Sequence, residues 1–86
     1  MKKDYKYKED NNSSKRNESI YYAPDNMKYV ITNAPKLGIL KSLGIIKNAC
    51  VYKVMTHGLG GPVLLKVESS DIAIGKDIAE KILVRR

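Results

Sequence analysis

Apolar and polar positions change their pattern several times along the chain. From Met1 to Glu18, Lys, Asp, Glu, Asn and Ser dominate, with Tyr5 and Tyr7 as the only large side chains suited to packing. A segment this poor in apolar surface does not offset its ordering entropy, so 1–18 reads as a disordered tail and 19–86 as one folded domain. Ile20-Tyr21-Tyr22 then leads into Pro24-Asp25-Asn26, a turn triplet. Lys28 to Thr32 is β-branched and aromatic and predicts a strand, ended by Asn33-Ala34-Pro35. Leu37, Leu40 and Leu43 follow helical spacing, and Gly44 is placed to stop that helix in the left-handed conformation.

Further on the period returns to two. Val51 to Thr56 predicts a strand after a tight turn at Lys47-Asn48. Gly58-Leu59-Gly60-Gly61-Pro62 predicts a loop. Val63, Leu65 and Val67 alternate with Leu64, Lys66 and Glu68, so one strand face is apolar. Ser69-Ser70 is expected to turn the chain into a short strand through Ile72 and Ile74. Gly75 to Ala79 has room for one helical turn, and Ile82-Leu83-Val84 for a last strand. Short strands joined by tight turns predict an all-β fold: a small barrel of five to six strands with one short helix and one helical turn. A fold of about 60 residues buries only about 60% of its chain surface, and closure into a barrel leaves so small a sheet without open edges.

Composition narrows the function classes. The 86 residues include 16 Lys and Arg against 9 Asp and Glu, a net charge of +7. Six positive and five negative charges precede Met27, so nearly all the excess belongs to the last 60 residues. No run approaches the roughly 18 apolar residues of a membrane span, so direct membrane insertion is not expected. The polar start reads as no secretory leader, and the single Cys50 fits a reducing cytoplasm.

The candidate chemistry is thin. Gly58, Gly60 and Gly61 lack the Lys-Ser/Thr pair of a phosphate loop, and a strand follows where a dinucleotide loop needs a helix. Cys50 and His57 are metal-ligating types, but their odd separation on one strand points them to opposite faces unless a bulge intervenes. Cys50 reads as a small packing residue and His57 as a solvated strand end. Ser69, Ser70 and Asp71 supply triad letters without a base, and Asp77 and Glu80 read as a solvated helical face. The expectation is a non-enzyme with no catalytic residue, no cofactor and no metal ligands. Basic residues with Tyr29 and Tyr52 as stacking platforms keep nucleic acid as an alternative partner, although the ten positives are scattered. The densest feature is apolar: Leu37, Ile39, Leu40, Leu43, Ile45 and Ile46 exceed what one helix face needs, and a surplus left exposed is a docking-site candidate.

Several phrases resemble the FeoA family of small cytosolic proteins that accompany the FeoB ferrous-iron transporter. Leu40-Lys41-Ser42-Leu43-Gly44-Ile45 resembles its helix end, His57 to Val63 its Ala-Pro-Leu-Gly-Gly-Pro loop, and Ile72 to Ala79 with Lys81 to Val84 its closing segment. Tyr22 to Asn26 stands where the family shows a Pro-Gly-Glu-like turn, and Lys47-Asn48 replaces its Pro-Gly turn. The resemblance covers 19–86. It implies an SH3-like β-barrel, related to the C-terminal domain of DtxR-type repressors, and an accessory role in ferrous iron uptake on the cytosolic GTPase portion of a FeoB-like membrane transporter. That role is expected to be cytoplasmic, peripheral to the membrane through the partner. On this reading Leu40 and Leu43 make the contact and Lys41 steers it. A basic barrel binding nucleic acid or acting as an iron-linked regulatory domain is the alternative, and self-association is compatible with the same sequence.

Overall fold

The computed structural model describes residues 17–86. Six strands form one antiparallel sheet: β1 (Glu18–Ser19), β2 (Met27–Asn33), β3 (Cys50–Thr56), β4 (Val63–Val67), β5 (Ser70–Ile74) and β6 (Leu83–Arg85). Helix α1 (Gly38–Ser42) lies between β2 and β3, and the turn α2 (Lys76–Ala79) between β5 and β6. The strand order is β1-β6-β2-β3-β4-β5. This is the expected small SH3-like barrel. The tail expected over 1–18 lies outside the described residues except at its end, where Glu18 already pairs with Val84.

The sheet curls around one core. Val63, Leu65 and Val67 turn inward on β4, as their alternation predicts, and meet Tyr29 and Ile31 of β2, Val51 of β3, Ile74 of β5 and Val84 of β6. Ile20, Tyr21 and Ala23 cover one end of the core, together with Ala79 and Ile82 around α2. The ladder closes less completely than barrel closure would imply. Among the described residues β5 pairs with β4 alone and β1 with β6 alone, because β1 is only two residues long.

Local chemistry sets the ends of α1. Gly38 is its first residue rather than an interior one, so the usual mid-helix glycine penalty does not apply. At the other end Gly44 takes φ +83°, its N–H donates to Lys41 O at 3.1 Å, and Ile45 N–H donates to Leu40 O at 2.9 Å. This pair of bonds is a Schellman ending, and the apolar contact that accompanies it joins Ile45 to Leu40, both buried. Burying a leucine this fully contributes about 1.5–3 kcal/mol. Asn48, with φ +75°, makes the following turn, as expected. One turn differs from expectation. Ser70 pairs with Val67, so the β4–β5 hairpin turns on Glu68 and Ser69, and Glu68 takes φ +58°. The register puts the left-handed position on a residue whose side chain gives no sign of it.

Candidate partner-docking surface

Pro35 follows the end of β2 in an extended leader, α1 runs for about a turn and a half, and the Schellman ending turns the chain toward β3. Only one helix face can meet the core. Leu40 takes it and is 1% exposed. The side chains on the other faces are left out: Leu37 is 41% exposed, Ile39 61%, and Ile46, just past the helix, 48%. A groove of about 410 Å³ runs through this region, with Ala34, Pro35, Leu37, Ile45 and Ile46 on its apolar walls. Lys36, Lys41 and Lys47 line the same groove, and among the described residues no carboxylate does. All three lysines are exposed. The surface is thus apolar at its centre and positive at its rim.

The three residues expected to touch a partner therefore separate. Lys41 is exposed on the rim. Leu43 is partly buried and packs against the core. Leu40 is a core residue, and its side chain offers no surface in this conformation. The helical spacing placed Leu40 and Lys41 on one helix, with Leu43 as its C-cap rather than inside it, but the face that docks inward was not readable from it.

A second hollow, of about 480 Å³, lies between the 21–25 segment and the glycine loop. Its floor holds the feature that sequence reading passed over. Lys53 is 1% exposed, and its Nζ donates to Tyr21 O at 3.0 Å and Ala23 O at 2.5 Å and faces Asp25 Oδ1 at 3.3 Å. A bulge at Val54 makes this arrangement: Lys53 pairs with Leu65 but Met55 with Leu64. Lys53 and Thr56 consequently share the inner side, and Thr56 Oγ1 donates to the same Tyr21 carbonyl at 2.8 Å. Tyr29 Oη donates to Pro24 O at 2.6 Å and Tyr21 Oη to Gly61 O at 2.9 Å. These bonds fasten the opening turn to the barrel. Burial holds the Tyr29 phenol above its ordinary pKa. On the surface, a hydrogen bond to Glu80 raises that of Tyr22.

The other candidates do not assemble into chemistry. Cys50 is exposed rather than packed, because the inward positions of β3 at that end belong to Val51 and Lys53. His57 is exposed just beyond β3. Among the described residues no three His, Cys, Asp or Glu side chains gather as metal ligands would. Tyr29 is buried and has no face for a base to stack on, which removes one of the two platforms that the nucleic-acid reading used. No helix among the described residues is long and apolar enough to cross a membrane.

A family model for the FeoA domain matches residues 27–86. The chain belongs to the FeoA family. That family is linked to ferrous iron transport and consists of small accessory domains rather than known enzymes. Among solved structures, this FeoA chain is similar to the crystal structure of an iron uptake regulatory protein, FeoA, at 24% identity and a TM-score of 0.73, over 81% of this chain and 96% of that one. It is also similar to a FeoA-like protein from Clostridium acetobutylicum, at 16% identity and a TM-score of 0.68, over 80% and 85% of the two chains. A manganese-dependent transcriptional repressor matches at 15% identity and a TM-score of 0.72, over 80% of this chain but 41% of the repressor. Likeness at these identities carries the fold alone. No curated protein matches the chain significantly.

Proposed function

We propose that this FeoA protein supports ferrous iron uptake as a non-enzymatic docking module on the cytosolic GTPase portion of a FeoB-like transporter. One observation carries the reading: Leu37 and Ile46 stand exposed along a groove whose only lining charges among the described residues are Lys36, Lys41 and Lys47, and Ile39 is exposed on the same helix. Apolar side chains that the core leaves out regain burial by docking, and a purely positive rim selects a partner with acidic flanks. Lys41 steers the approach, Leu37, Ile39 and Ile46 make the contact, and Leu43 and Leu40 support it from beneath. Docking shifts the GTPase between conformations by the difference in affinity for each.

The test is an NMR titration of the isotope-labelled protein with the FeoB cytosolic portion, with and without GTP. Shifts should centre on 36–47. Ile46→Asp should leave the spectrum folded and weaken binding on the order of tenfold or more, as loss of an apolar anchor does. Leu40→Asp should unfold the protein, because it buries an unpaired charge. Unchanged affinity in a folded Ile46→Asp variant refutes the surface, and shifts confined to other strands relocate it.

A further inference from the structure

The strand β5 lies at an edge of the sheet. β5 pairs only with β4 among the described residues. Its ladder alternates in a known phase. His57 N–H donates to Pro62 O, and Met55 pairs with Leu64, so even-numbered residues of β4 turn their backbone toward β3. Val63, Leu65 and Val67 therefore bond to Ile74, Ile72 and Ser70. That leaves the N–H and C=O of Asp71 and Ala73 aimed away from the sheet, and neither makes any other backbone hydrogen bond among the described residues. Exposed edges are usually blunted by Lys, Pro or a bulge. β5 has none of these, only Asp71, whose carboxylate is engaged by Lys66 at 2.8 Å.

We propose that β5 is a homodimerisation edge, taken by β5 of a second copy in antiparallel register about a two-fold axis through Ile72. The spacing makes the edge self-complementary. Asp71 comes opposite Ala73 of the second copy and Ala73 opposite Asp71, which satisfies all four free groups of each copy in four hydrogen bonds. Ile72, partly buried at the open seam, meets its own equivalent. The same register brings the hairpin tip carrying Glu68 beside the start of α2 in the other copy, where Lys76 precedes Asp77. Both Glu68 and Lys76 are exposed, and the pairing occurs twice. Reciprocal register and charge favour a second copy over an unrelated extended peptide, which has no reason to match both. A contact of five residues a side is small, so the dimer is a weak and reversible one. The edge is separate from the 36–47 surface in sequence and does not depend on the function proposed for it.

The test uses the full chain. Sedimentation velocity across a concentration series should show a monomer–dimer equilibrium, and amide exchange at Asp71 and Ala73 should slow as concentration rises. Ala73→Pro deletes an N–H that the fold itself does not use, and should weaken dimerisation about ten- to a hundredfold. Glu68→Lys should weaken it a few-fold, and Glu68→Lys with Lys76→Glu should restore it. A species that stays monomeric, with exchange at 71 and 73 independent of concentration, overturns the proposal. So does a dimer indifferent to Ala73→Pro.

Discussion

Lys53→Met isolates the buried ammonium. Methionine has similar length and fills the same space, so the change removes charge and hydrogen bonds without opening a cavity. Of the two carbonyls that lose a donor, Tyr21 O keeps its bond from Thr56, whereas Ala23 O has no other partner among the described residues. An orphaned buried carbonyl costs about 1–3 kcal/mol, and hydrogen bonds from a charged donor contribute about 1.5–3 kcal/mol each. The Asp25 pair adds little, because its carboxylate is 45% exposed and screened by water. Against these losses stands relief of the desolvation that the ammonium suffers on folding, a cost of several kcal/mol that its bonds must exceed. The expected net destabilisation is about 2–4 kcal/mol, read as a lower urea midpoint at unchanged slope by far-ultraviolet circular dichroism. For a domain of this size that corresponds to a melting temperature lower by roughly 10–30 °C. Asp25→Asn should lose less than about 1 kcal/mol. A Lys53→Met variant as stable as the parent refutes the clamp and makes the ammonium a net burden carried for another reason.

Gly61→Ala should destabilise by about 2 kcal/mol or more, because a Cβ there would lie 2.1 Å from His57 O, while Gly58→Ala meets nothing and should lose only about 1 kcal/mol for its φ of +60°. Urea titration of both checks this, and the reverse order refutes the steric account. Because burial raises the Tyr29 pKa, the native state holds a proton that the unfolded chain releases above about pH 10, so the contribution is complete below that pH and falls as pH rises past it. Tyr29→Phe should lower stability at about pH 8 by about 1 kcal/mol through its lost bond to Pro24, and should flatten the decline that sets in above about pH 10.

Features written in short stretches of chain were legible in advance. Gly44 and Asn48 take the left-handed conformations their residue types favour, and the period-two pattern of Val63, Leu65 and Val67 names the inner face of β4 without reference to anything else. The phrases around Leu40–Ile45, the glycine loop and the closing segment carried the family. What could not be read depends on partners far away in the chain. Lys53 is buried because carbonyls 30 and 32 residues distant, and a bulge at Val54, meet it inside, and among ten scattered positive residues nothing local distinguishes it. The place of Leu40 in the core, with Ile39 left outside, has the same origin. Adjacent positions on a short, apolar helix have equal claims to the core, and the docking of that helix on the barrel chooses between them. Backbone turns and strand period are settled by each residue's own conformational energy. Which side chains meet water is settled by packing between segments, and the docking surface is what that packing leaves outside.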